Sequence, residues 1–267
     1  MKSGQQDSKM NPESTRLTRH IGKCVYCGST DNLTDEHIVS YGLQGIWQLL
    51  KGSCVVCNDI TSAFEGTVLR EYFKLIRAAL NLPTRRPHNR PKEFSFEVDR
   101  EGRKENIVMP VTDCPTIFMM RNLGEPEHIR KHGNGKSIKT VGVSLHGLNP
   151  NELEDKFRIQ GISFKAHFSS GHCFERMLAK IAYGMTILAY GAEALKECYV
   201  LPCIRGLKDD AGYWVGSSGR HISALPAEKK VLHRIGLNTN NGEIRVFIRL
   251  FAHYKTPEYL VIVGKLK

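Results

Sequence analysis

The chain has 267 residues, and 38 Lys and Arg against 27 Asp and Glu give it a formal charge of +11. Hydrophobic residues make up 41% and charged residues 24%, a composition that buries a core and excludes a disordered chain. The positive excess favours nucleic acid or an acidic membrane surface as partner, and no stretch approaches the ~18 uncharged apolar residues of a membrane-spanning helix.

Residues 1–20 are polar and lack apolar periodicity, which predicts a flexible tail. They also lack the apolar core of a secretory signal, so a cytoplasmic protein is expected. Residues 21–82 carry two cysteine pairs, Cys24-Val25-Tyr26-Cys27 and Cys54-Val55-Val56-Cys57. In a chain not expected to be secreted, disulfides are a poor use for them. Each Cys-x-x-Cys turn presents two thiolates on one knuckle, and two knuckles complete a tetrahedral sulfur shell, so Cys24, Cys27, Cys54 and Cys57 are read as ligands of a structural zinc. A hairpin fits the interval between them. From near Asn58 the spacing of Ile60, Phe64, Leu69, Tyr72, Phe73, Ile76 and Leu80 predicts one long amphipathic helix.

Three prolines and four basic residues at 81–92 stop that helix, and residues 83–92 read as a basic linker. The remainder, 93–267, reads as a larger α+β domain. Strands are predicted at 94–98 and 107–109 around a Glu101-Gly102 turn, and again at 116–120, 138–145 and 158–168. A core helix is predicted over 173–190, its apolar stripe interrupted by Glu175, Arg176 and Lys180. A C-terminal hairpin pairs 245–251 with 259–263 around Pro257. Cys114, Cys173, Cys198 and Cys203 are irregularly spaced and read as small buried hydrophobes. The segment 208–216 reads as a loop whose Trp214 either packs or stacks on a base, packing being the better use of its area.

The chemistry concentrates between the cysteine pairs, at Asp35-Glu36-His37-Ile38, and directly after the second, at Asn58. One zinc would fix the hairpin carrying His37 against the helix carrying Asn58. That gathers a carboxylate, an imidazole and a carboxamide, the parts needed for metal-assisted phosphodiester hydrolysis. Alternation along a strand would put Asp35 and His37 on one face, making Asp35 a rival ligand to Glu36. Asn58 also has the chemistry of a helix N-cap.

The combined pattern Cys24-x-x-Cys27, Asp35-Glu36-His37-Ile38, Leu43-x-Gly45, Lys51-Gly52-x-Cys54-x-x-Cys57-Asn58 resembles the zinc-containing subgroup of the HNH endonucleases, over about 50 residues. The resemblance implies a treble-clef-like ββα-metal core, with His37 as general base, Glu36 and Asn58 as ligands of a catalytic divalent ion, and products with 5′-phosphate and 3′-hydroxyl ends. The chain departs from the family in having Ser40-Tyr41 where relatives often have Pro, and Gln44 in place of one glycine of a pair. Lys51, Gly52 and Ser53 stand where a bracing Asn is usual, and Ser62 replaces an extra His. With few protein ligands, Mg2+ or Mn2+ is expected over catalytic zinc. The function expected is a DNA endonuclease, acting on DNA rather than RNA, with no membrane partner and a setting in restriction or phage defence. Double-strand cleavage would require two sites or two nicks, which a homodimer supplies. The alternative is a non-catalytic zinc module that docks on nucleic acid.

Overall fold

The computed structural model describes residues 17–114, 118–131, 133–136, 140–146, 155, 158, 161–163, 172–219 and 232–267. Residues 1–16 of the expected tail, and parts of the strands expected at 116–120, 138–145 and 158–168, lie outside them. The fold is mixed α+β, and no described helix is long and apolar enough to cross a membrane.

The N-terminal part opens with β1 (Thr18–His20), which departs from the expected tail: it lies parallel to β3 (Gln48–Cys54), and β2 (Leu33–His37) pairs antiparallel on the other side of β3. Backbone pairing to an existing strand orders this short polar segment although its own side chains are exposed. The helix α1 (Val55–Glu71) begins three residues before Asn58, with Cys54 as its extended N-cap. The alternative reading of Asn58 as the helix N-cap is thereby excluded, since Asn58 sits inside the helix. Nor is the helix continuous. It breaks at Tyr72 and Phe73 and resumes as α2 (Lys74–Ala79). Successive helical side chains diverge by about 100°. The break lets both rings enter the core, Tyr72 stacking on Phe174 at 5.2 Å between centroids and Phe73 meeting Phe251 at 5.1 Å.

After a surface stretch with a single turn at Pro87–Asn89, β4 (Glu93–Arg100) and β5 (Arg103–Pro110) form the expected hairpin. Glu101 and Gly102 turn it with φ of 53° and 77°, the backbone a two-residue hairpin turn requires. Alternation buries Phe94, Phe96 and Val98 in a small cluster with Ala78 of α2. The strand β6 (Phe118–Leu123), the single helical turn α3 (Glu127–Arg130), β7 (Thr140–His146) and β8 (Gly161–Ser163) follow; β6 pairs β7, and β8 pairs β4. The expected core helix is α4 (Cys173–Tyr190), buried along nearly its whole length.

The rest is one antiparallel sheet: β9 (Leu195–Cys198), then the turns α5 (Leu201–Ile204) and α6 (Ala211–Trp214), then β10 (Val215–Ser217), β11 (His233–Asn240), β12 (Glu243–Leu250) and β13 (Tyr259–Leu266). The expected hairpin is the β12–β13 pair. Helix α4 packs against β12 and β13 and also against α1 and β3. The hydrophobic core therefore does not stop at residues 83–92: one cluster takes in Cys24, Leu49 and Phe64 together with Phe174, Ile248 and Val261. Trp214 is stacked on Tyr199 at 4.6 Å, a packing contact.

Candidate metal centre

Two short turns build the cysteine cluster. The first knuckle closes through Gly28 N–H to the Cys24 carbonyl at 2.8 Å and Cys24 N–H to the Ser29 carbonyl at 2.7 Å. Gly28 takes φ 81°, a backbone that favours glycine. Val25 N–H then donates to the Gly52 carbonyl at 2.8 Å and fastens the knuckle to β3. The second pair spans the strand-to-helix junction, Cys54 ending β3 and Cys57 lying in the first turn of α1. The four sulfurs all lie within 4.8 Å of one another, with Cys27 Sγ and Cys54 Sγ 3.6 Å apart. A tetrahedron with zinc–sulfur bonds of about 2.3 Å has edges of ~3.8 Å, so the donor set fits zinc. Burial raises the Cys24 thiol, but backbone hydrogen bonds from Cys54, Cys27 and Tyr26 draw it down to about 7. Cys57 is pushed up by burial and by the other sulfurs. A cation among four such thiols would remove that conflict, since the thiolates then share one positive centre.

The hairpin beside this cluster carries the acidic-His segment. Cα partners run from Leu33↔Cys54 to His37↔Gln48, with a bulge between Thr34 and Glu36. Asp35 sits at the bulge, exposed, where its Oδ1 accepts from Lys51 N–H at 2.9 Å. His37 is half-buried, and its Nε2 lies 2.9 Å from the carboxamide nitrogen of Gln48 across the ladder, with the Tyr41 ring edge-on at 5.8 Å. The loop from β2 to β3 is held from both sides. Arg77 of α2 donates to the Gly42 carbonyl at 2.8 Å, and His233 of β11 donates to the Leu43 carbonyl at 2.7 Å. In that loop Gln44 adopts φ 62°, and at Gly45 a Cβ would lie 1.8 Å from the Val39 carbonyl oxygen. Gly45 is therefore required by close approach, whereas Gln44 occupies a left-handed position without being glycine.

Glu36 faces the other way. It is buried, and its Oε1 accepts from the Lys180 ammonium of α4 at 2.6 Å. The same ammonium donates to Glu65 Oε1 of α1 at 2.8 Å and to the His37 carbonyl at 2.6 Å. Burial alone would drive the Lys180 proton off, but Glu36 and Glu65 outweigh it and hold the lysine above its ordinary pKa. Burial pushes the Glu65 carboxyl up against the pull of Lys180. Glu36 Oε2 is buried with no hydrogen-bond partner among the described residues. Asn58 is half-buried in α1, and its backbone carbonyl accepts from the Thr61 and Ser62 hydroxyls at 3.2 and 2.6 Å.

The structure thus brings together the four cysteines, and it places Asp35 and Glu36 on different surroundings of one strand. Among the described residues the cysteines are the one group of three or more His, Cys, Asp or Glu donors within mutual metal-binding reach. Sequence reading missed Gln48, Glu65 and above all Lys180. The available signal was a lysine within the apolar stripe of a helix, because a buried ammonium demands acceptors. No family model, curated protein or solved structure matches this chain.

Proposed function

We propose that the chain is a metal-dependent DNA endonuclease of the HNH type. The observation that carries this reading is a buried carboxylate with one oxygen, Glu36 Oε2, that has no hydrogen-bond partner among the described residues, next in sequence to His37 on a hairpin joined to a helix at a four-cysteine cluster. An orphaned buried carboxylate oxygen is a costly feature that a cation relieves. Glu36 and Asn58 would hold a Mg2+ or Mn2+ ion, with Asp35 as rival ligand to Glu36; such an ion supplies charge neutralisation at the scissile phosphate. Asp35, exposed and already bonded to Lys51 N–H, is the weaker candidate. His37 would take the proton of the attacking water as the new phosphorus–oxygen bond forms; the bond to the 3′ oxygen breaks and that oxygen takes up a proton from solvent water, leaving 5′-phosphate and 3′-hydroxyl ends. Gln48 and Tyr41 hold the imidazole ring. The net charge of +11 supports a phosphate backbone as partner, with binding that weakens as salt rises. Dimerisation in the cytoplasm, with two sites on two strands, belongs to the same proposal.

A second reading, a non-catalytic zinc-dependent nucleic-acid-binding module, draws on the bond from Lys180 to Glu36, which gives that carboxylate a structural use. Plasmid nicking with Mg2+ or Mn2+, comparing wild type with His37→Ala, separates the two. Cleavage by wild type alone supports the nuclease, and equal cleavage by both removes His37 as the base. Salt-sensitive DNA binding without any cleavage selects the module.

A further inference from the structure

Lys180 lies 143 positions from His37 in sequence, yet every hydrogen of its ammonium is spent at or beside the candidate site. The acceptors are Glu36 Oε1, the His37 carbonyl and Glu65 Oε1, at 2.6, 2.6 and 2.8 Å. An ammonium has three donors and no acceptor, so the set is complete. Tying a helix to a hairpin needs far less. A buried ion pair is commonly no more stabilising than well-packed apolar side chains of the same size, so stability alone is a weak reason for a lysine with 2% of its side chain exposed. What this lysine does that a methionine would not is fix one side-chain oxygen and one backbone carbonyl of two consecutive residues at once. With Oε1 engaged by the ammonium, the oxygen left to an ion is Oε2, which has no hydrogen-bond partner among the described residues.

We infer that Lys180 is a positioning residue: by holding Glu36 Oε1 and the His37 carbonyl, with Glu65 as the opposite anchor, it sets the bearing of the metal-binding oxygen and of the imidazole. Helix α4 of the core thereby completes the hairpin site. This rests on the nuclease reading for the role of His37, while its metal arm does not require cleavage. Residues that orient a ligand without touching the ion typically contribute about 10- to 100-fold to metal affinity or activity.

The test compares Glu65→Gln, which keeps the lysine and its bonds to Glu36 and His37, with the double variant Lys180→Met/Glu65→Gln, which removes them without leaving two carboxylates facing each other. Mn2+ alone is titrated by electron paramagnetic resonance, and nicking is measured in parallel. The double variant leaves Glu36 buried without its cation, so it is expected to melt at a lower temperature than Glu65→Gln while keeping one zinc per chain and a cooperative transition. Its Mn2+ affinity and its kcat should each fall about 10- to 100-fold relative to Glu65→Gln, with the KM for DNA unchanged. Equal Mn2+ affinity in the two variants overturns the inference, as does a wild type that binds no Mn2+ outside the cysteine cluster. A wild type that binds Mn2+ but cuts no DNA removes the nuclease reading, and the Mn2+ comparison then decides Lys180 by itself. If the double variant loses zinc or unfolds, Lys180→Arg carries the test. It preserves the charge but moves the donors, so Mn2+ affinity and kcat indistinguishable from wild type would overturn the inference equally.

Discussion

The hairpin of β2 and β3 has two sides held by different kinds of interaction. On one side the cysteine cluster is assembled from residues close along the chain, Cys24 to Cys57, in two turns whose spacing is visible in the sequence. On the other side Glu36 and the His37 carbonyl are held by Lys180 of α4, which arrives from the far half of the molecule. The first side is a covalent-like clamp that a metal ion would close. The second is a desolvated ion triad that only the packed core can assemble, because Lys180, Glu36 and Glu65 tolerate burial only in each other's company. The lesson is that a metal-bound knuckle can shape a hairpin while a distant helix decides how its side chains are presented.

Breaking the local side should have the largest effect. Cys54→Ser, or removal of zinc by a chelator, is expected to unfold the β1–β3 sheet and to loosen the core it shares with α4, since structural zinc sites contribute about 10–16 kcal/mol in apparent terms. Zinc content and far-ultraviolet circular dichroism check it, and a folded metal-free protein would remove the clamp from the comparison. His37→Ala should leave both sides standing yet lower kcat about 100- to 10,000-fold, read by plasmid nicking with an unchanged melting temperature.

Breaking the long-range side should cost less than losing the zinc. Lys180→Met alone leaves two buried carboxylates without their cation, a loss of about 3–5 kcal/mol measured by urea denaturation. A loss near zero would mean that water reaches the triad. The smallest effect concerns the other long-range tie, His233, whose Nε2–H donates to the Leu43 carbonyl and whose Nδ1 accepts from Phe251 N–H at 3.2 Å. Both nitrogens are used by a neutral ring, and burial holds its pKa down to about 4, against 6.5 ordinarily. Above 6.5 the folded and unfolded states are both neutral and this contribution is whole. As pH falls from 6.5 to about 4 the unfolded chain takes up a proton that the folded ring refuses, so up to ~3 kcal/mol is lost, and no more below that. Urea midpoints at about pH 7.5 and about pH 4.5, with zinc followed in the same samples, should show a shallower slope in His233→Gln.

Much of the scaffold is legible in the sequence, for reasons that differ by element. The α4 helix follows from an apolar stripe, and the β4–β5 hairpin follows from alternation around Glu101-Gly102. The cysteine cluster follows from two identical spacings. What sequence reading missed are events of packing: β1 ordered only by pairing to β3, and the break at Tyr72 and Phe73 that seats two rings in one core. Of the candidate site, the identities of Glu36, His37 and Asn58 are readable, but the direction of Glu36 is not, because the bulge at Thr34 and Glu36 is set by pairing rather than by composition.

The sequence by itself determines the sulfur donor set, the basic charge, the β4–β5 and β12–β13 hairpins and the α4 helix, since these depend on residue type and short spacing. The tertiary structure alone decides that one core runs through both halves and that a helix lysine closes on the hairpin. Those facts depend on which buried charges meet, and a chain reveals that only when distant segments are packed and water is excluded between them.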